Sequence, residues 1–104
     1  MNIIWTEFAR LELKHIYDYY KWKVGISLAK KIKAQIFECT KQLEIFPKAG
    51  TIEENLLDLG EFRYLVKNNY KIIYTTKEDM IYITDVFDCR RNPETMKDNV
   101  LKNL

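Results

Sequence analysis

Apolar residues in the first half of the chain recur at steps of three and four. Ala9, Leu13, Ile16 and Tyr20 form one series, and Ala29, Ile32, Ile36, Cys39 and Leu43 a second. That spacing puts each series on one face of an α-helix. Thr6 stands before the first as a capping residue, and Glu7 complements the positive helix end. The first helix gives out near Lys23-Val24-Gly25. Phe46-Pro47 stops the second, because proline restricts the residue before it and cannot continue a helix. Together they make a helical hairpin in which neither member can bury its stripe alone.

The period then changes. Phe62 to Val66, Tyr70 to Thr75 and Met80 to Phe87 are runs of β-branched and aromatic residues, which favour strands. Asn68-Asn69 and Lys77-Glu78-Asp79 separate them, and turns this short imply an antiparallel meander. Asn2 to Trp5 adds a short strand at an edge. Residues 48 to 60, with Gly50 and Gly60, read as a loop that turns Leu56-Leu57 toward the core. Asn92-Pro93-Glu94 opens a short C-terminal helix, whose expected apolar stripe is Met96, Val100, Leu101 and Leu104. The expected fold is α+β: an N-terminal strand and helical hairpin packed on one face of a four-stranded antiparallel sheet, with a short C-terminal helix. Residues 1 to 104 are expected to form a single domain.

Composition narrows the class. Of 104 residues, 47% are hydrophobic and 13% aromatic, which argues for a packed core rather than disorder. A formal charge of +2 permits an anionic partner without demanding one. Charge is sorted locally, with Glu53, Glu54, Asp58 and Glu61 in one region and Lys30, Lys31 and Lys33 in another. The lysines read as the solvated side of the second helix. Cys39 and Cys89 form no CxxC pair and have no histidine at metal-ligand spacing, so no metal or cofactor is expected. Glu7 and Arg10 interrupt any leader-like apolar run, and nothing approaches the roughly 20 apolar residues of a membrane span. The expectation is a cytoplasmic, thiol-reduced protein without a membrane partner.

Candidate chemistry follows from alternation along the strands. With the hairpin covering one face of the sheet, the other is expected to carry Arg63, Lys67 and Lys71 beside aromatic groups. Such a face suits a phosphate backbone or an acidic, partly apolar peptide; an ordinary solvated sheet face is the alternative. Arg90-Arg91 follow the last strand, where a planar guanidinium fork suits phosphate or carboxylate. They could equally be ion-paired with Asp85 or Asp88. His15, the sole histidine, reads as a surface or boundary residue remote from these candidates. No Ser/His/Asp set, glycine-rich phosphate loop or HExxH motif is present, which excludes the common hydrolase and nucleotide-binding signatures.

One ordered set of positions carries a resemblance. It runs from Trp5, Ala9, Leu13, Ile16-Tyr17 and Tyr20 through Ala29, Ile32, Ile36, Leu43, Phe46-Pro47 and Gly50. It continues with Phe62-Arg63, Tyr70-Lys71-Ile72-Ile73-Tyr74 and Val86-Phe87-Asp88-Cys89-Arg90-Arg91-Asn92-Pro93. In order and spacing this resembles the RelE/ParE toxin superfamily over nearly the whole chain. The resemblance implies the toxin half of a type II toxin–antitoxin pair, neutralised by a cognate antitoxin protein and meeting operator DNA only through it.

Two branches imply different mechanisms. The RelE branch cleaves mRNA on the ribosome, which requires a base, cations for the developing phosphorane charge and an acid for the leaving oxygen. Arg63 and Lys71 match its basic positions on the middle strands. Cys89 stands where a basic residue is wanted, so that Arg90 or Arg91 would have to serve from a shifted position. Past Pro93 there is no tyrosine or histidine. The ParE branch inhibits DNA gyrase and needs no nuclease centre; the ending Arg90-Arg91-Asn92-Pro93 resembles it more. A ParE-like gyrase inhibitor is therefore the expectation, with Arg63, Lys67, Lys71, Arg90 and Arg91 as contacts to target or antitoxin. A ribosome-dependent mRNA endonuclease, with Arg63, Lys71, Arg90 and Arg91 as catalytic candidates, and a degenerate toxin acting as co-repressor with its antitoxin are the alternatives.

Overall fold

The computed structural model describes residues 1–102. In chain order the elements are β1 (Asn2–Trp5), α1 (Glu7–Lys23), α2 (Ile26–Thr40), β2 (Thr51–Ile52), β3 (Phe62–Lys67), β4 (Tyr70–Lys77), β5 (Met80–Asp88) and α3 (Thr95–Leu101), with 3₁₀ turns at Lys41–Glu44 and Glu54–Leu59. Thr6 caps α1 as its sequence position predicts: its hydroxyl accepts the Ala9 N–H at 3.2 Å. Both hairpin turns place two residues at positive φ, Asn68-Asn69 (51° and 67°) and Glu78-Asp79 (52° and 62°). This backbone matches the twist of the flanking strands.

The sheet departs from the expected four antiparallel strands. It has five, in the order β1-β5-β4-β3-β2. β1 lies parallel to β5, with Ile3 opposite Ile81 and Trp5 opposite Ile83. The helical hairpin carries the chain from β1 to β2 at the far edge, where it runs opposite to β1; three antiparallel reversals, β2 to β3 to β4 to β5, then bring the last strand back beside β1 in the same sense. β2 arises inside the segment read as a loop, where Thr51 and Ile52 pair with Tyr64 and Arg63. Two residues are too few to carry a readable alternation.

Both flanks of the sheet are covered. On one, Leu65, Ile72, Tyr74, Ile81, Ile83 and Val86 pack beneath the stripes of α1 and α2, in one apolar cluster with Ala9, Leu13, Ile16, Ile32, Ile36 and Leu43. On the other, Phe62, Ile73 and Phe87 are closed over by Leu56 from the second 3₁₀ turn and by Met96 and Val100 from α3. The expectation that one flank stands open is corrected: Leu56 dips inward as read, Leu57, read with it, is exposed instead, and α3 completes the cover. Leu101, expected in the α3 stripe, is exposed, and Leu104 lies outside the described residues.

One close approach explains Gly50. Its N–H donates to the Tyr74 hydroxyl at 2.9 Å, and that hydroxyl donates to the Pro47 carbonyl at 2.8 Å. A Cβ on Gly50 would lie 2.7 Å from a Tyr74 ring carbon and 2.8 Å from the Tyr64 carbonyl oxygen. The link ties the chain leaving the helices onto the middle of the sheet. Among the described residues no helix is long and apolar enough to cross a membrane.

Candidate functional site

The strand register separates the basic residues that alternation had grouped. Arg63 pairs with Tyr74, Lys67 with Tyr70 and Val66 with Lys71. Directly opposed residues share a face. Arg63 and Lys67 therefore lie on the α1–α2 flank and Lys71 on the α3 flank, so the single cationic face expected from the sequence does not form. The cause is the two-residue turn at Asn68-Asn69, which reverses parity between the strands: odd-numbered residues of β3 share a face with even-numbered residues of β4.

Internal groups also hold two of these cations. Lys71 Nζ donates to Glu53 Oε2 at 2.8 Å and lies 4.2 Å from the centre of the Tyr64 ring. Glu53 is only 1% exposed and also accepts from the backbone and side chain of Asn55 at 3.2 and 2.7 Å. Burial alone would push the Glu53 carboxyl up; the hydrogen bonds from Lys71 and Asn55 outweigh it and hold the group below its ordinary range. Arg63 Nη1 donates to the Gly50 carbonyl at 2.9 Å, and its Nε to Glu61 Oε2 at 3.3 Å. Lys67 is half-buried beside α2; burial raises the Cys39 thiol pKa there, and the Lys67 charge opposes that rise.

Arg90 and Arg91 behave differently, because they reach a formed groove. Glu12, His15, Ile16 and Tyr19 of α1 make one wall, and Tyr70, Val86 and Asp88 with the two arginines make the other, around about 290 Å³. Arg90 forks onto Asp88, Nε to Oδ1 at 3.0 Å and Nη2 to Oδ2 at 2.8 Å, while its backbone N–H donates to Oδ1 at 2.9 Å. The Arg90 hydrogen bond holds the Asp88 carboxyl below its usual range. Arg91 lies 5.5 Å from the centre of the Phe87 ring. Burial first, then a hydrogen bond with Tyr20, pushes the Tyr70 phenol well up, so it remains a protonated wall of the groove.

His15 lines this groove, with Nδ1 3.7 Å from Glu12 Oε1, which corrects the expectation that it is remote. Glu12 and Tyr19 were missed as groove residues. Residues 12, 15 and 19 recur at helical spacing beside Ile16 of the buried stripe, so the signal was present. What the sequence lacks is the placement of α1 across the end of β5.

A second groove, of about 480 Å³, lies along the helices. Its apolar lining is Trp5, Leu13, Tyr17 and Phe37, with Arg10, Lys14, Asp18 and Lys33 as the polar lining. Trp5 and Phe37 stack at 5.9 Å, and Lys33 Nζ sits 5.5 Å from the centre of the Tyr17 ring. Among the described residues no group of three or more His, Cys, Asp or Glu side chains could hold a metal ion. The arrangement offers cations, phenols and apolar walls suited to gripping another molecule. It does not bring Arg63 and Lys71 together around one reacting phosphate.

The molecule thus sets a helical hairpin and a small α3 on opposite flanks of a mixed sheet, with paired arginines just past the end of β5. Residues 3–93 match the family model described as the ParE toxin of the type II toxin–antitoxin system parDE, and the chain belongs to that family. It is the toxin component of a type II toxin–antitoxin system, which gives it a cognate antitoxin as partner. Among solved structures, the chromosomal ParDE TA system from P. aeruginosa superimposes with a TM-score of 0.70. It is 24% identical, and the match covers 85% of this chain and 95% of that one, a likeness of fold. No curated protein sequence matches the chain.

Proposed function

We propose that this toxin acts in the cytoplasm by binding and inhibiting DNA gyrase, as one domain, and not by cutting RNA. The observation that carries the reading is the separation of Arg63 from Lys71 by the thickness of the sheet, each held by an internal acceptor. An attack by a 2′-hydroxyl on its neighbouring phosphate needs a base, a charge-stabilising cation and an acid converging within hydrogen-bond reach of one site. Lys71 spends its charge on a buried carboxylate, and Arg63 braces the Gly50 turn. A binding toxin needs no such convergence.

The Arg90-Arg91 groove is the proposed target contact. It presents guanidinium groups, the phenols of Tyr19 and Tyr70 and the imidazole of His15 along one opening, a mixture enriched at protein–protein anchors. The second groove is the proposed antitoxin contact: its aromatic floor and the cations Arg10, Lys14 and Lys33 suit an acidic amphipathic segment.

The test is a supercoiling assay with purified gyrase, alongside induction of the toxin alone in a susceptible host. Inhibition of supercoiling, a DNA-damage response and intact transcripts are expected. New translation-dependent mRNA ends with unaffected gyrase would overturn the proposal.

A further inference from the structure

On the α3 flank, Asp85 is wholly buried (0% exposed) directly opposite Ile73. Its Oδ2 accepts from Asn99 Nδ2 of α3 at 2.9 Å, while Oδ1 has no hydrogen-bond partner among the described residues. A buried carboxylate with an unsatisfied oxygen is costly when charged. The element above it is weak by itself, since α3 has seven residues and helices under about 12 residues are marginal in water without packing. Its ties include Met96 and Val100 in the apolar cluster and an exposed ion pair, Lys97 to Asp58 at 2.7 Å.

We propose that α3 is a lid tightened by acid, held less firmly over the Phe62–Ile73–Phe87 flank while Asp85 beneath it is charged. Burial is the main cause lifting the Asp85 carboxyl from 3.8 to about 6. The Asn99 hydrogen bond opposes that rise, as do Arg91 and the Val86 N–H, while Glu12 of α1 adds to it. From α3 it meets Asn99, with Lys97 turned to Asp58 and Asp98 exposed. Lifting α3 lets water reach the carboxylate, whose affinity for a proton then falls to the ordinary range. The docked state therefore binds a proton that the lifted state releases. Docking gains as pH falls through about 6, and the gain is complete near 3.8.

Amide hydrogen exchange on the full chain tests this, with rates at residues 95–101 corrected for intrinsic chemistry and compared with the core strands. Between pH 8 and pH 5 the opening constant of α3 is expected to fall about tenfold, with β4 and β5 unchanged relative to global unfolding. Asp85→Asn removes the charge and should flatten that dependence. Glu12→Gln should reduce it while keeping Asp85, and serves if Asp85→Asn does not fold. A pH-independent opening in the wild type, or full dependence surviving in Asp85→Asn, would overturn the proposal.

Discussion

Lys71 and Glu53 meet at 2.8 Å, with the carboxylate sealed from water and the cation resting over Tyr64. The pair joins β4 to the segment that leads into the second 3₁₀ turn, and so fixes the cover over the α3 flank. Removing one member of such a pair strands the other's charge in the interior. Lys71→Met is expected to lower unfolding stability by about 3 kcal/mol, read from urea denaturation. Glu53 has a depressed carboxyl in the folded state, so its contribution is present above the ordinary carboxylate range and lost as pH falls through the lower folded value. Lys71→Met should therefore lose much of the wild-type stability difference between pH 7 and pH 3. A variant that is inactive yet as stable as wild type would mean that Lys71 works chemically, against this structural role.

Much of the fold was legible because α1, α2 and the meander strands are long enough to repeat their period several times. Thr6 and Asn68-Asn69 act through local backbone chemistry, which a sequence displays directly; α2, by contrast, ends at Thr40 and gives way to the 3₁₀ turn Lys41–Glu44, ahead of the Phe46-Pro47 step read as its stop. What failed was relational. The parity of Arg63 against Lys71 depends on how many residues form one turn, and the parallel entry of β1 depends on where the helical hairpin sets the chain down. The cover over the second flank depends on α3, whose two buried apolar anchors, Met96 and Val100, gave no hint of the face they meet. His15 lies at the surface as read, but its distance from the arginines was misjudged for the same reason: helical spacing shows which residues share a face, but not which strand end that face lies against.

The Gly50–Tyr74 link makes two separate expectations. Gly50→Ala forces its methyl against the Tyr64 carbonyl oxygen and the Tyr74 ring, neither of which can retreat without disturbing the sheet. A loss of about 1–3 kcal/mol is expected. Tyr74→Phe leaves the Gly50 N–H and the Pro47 carbonyl without their shared hydroxyl, for a loss of about 1–3 kcal/mol. Because both act on one contact, the double variant should lose less than the two single losses added together. Full additivity in thermal or urea unfolding would show that the two residues act independently.

Phe37 separates neutralisation from toxicity. It is 45% exposed and forms part of the aromatic floor of the groove between α1 and α2, stacked on Trp5. Phe37→Glu places a negative charge where an acidic amphipathic segment is proposed to lie. It should weaken antitoxin binding at least tenfold in calorimetry, since both the apolar contact and the complementary charge are lost. Gyrase inhibition should persist, because the arginine groove is formed by other residues of α1 and the sheet. Unchanged antitoxin affinity would move the antitoxin to another surface.

Arg90→Ala with Arg91→Ala makes the opposite separation. The fork from Arg90 to Asp88 is largely open to solvent on the arginine side, and exposed pairs of this kind contribute little to stability. The double variant should therefore fold with a nearly unchanged thermal midpoint. Losing both guanidinium groups removes the donors at the mouth of the groove and frees Asp88 to repel an anionic target surface. Gyrase inhibition and growth arrest are expected to disappear, while antitoxin affinity stays within about twofold of wild type, because distant independent sites couple weakly. The single variants divide the effect. Arg91, which lies against Phe87 without a carboxylate fork, should account for more of the loss than Arg90, whose donors are already turned to Asp88. Full toxicity in the double variant would remove this groove from the target contact, and a matching loss of antitoxin binding would mean that both partners use the same surface.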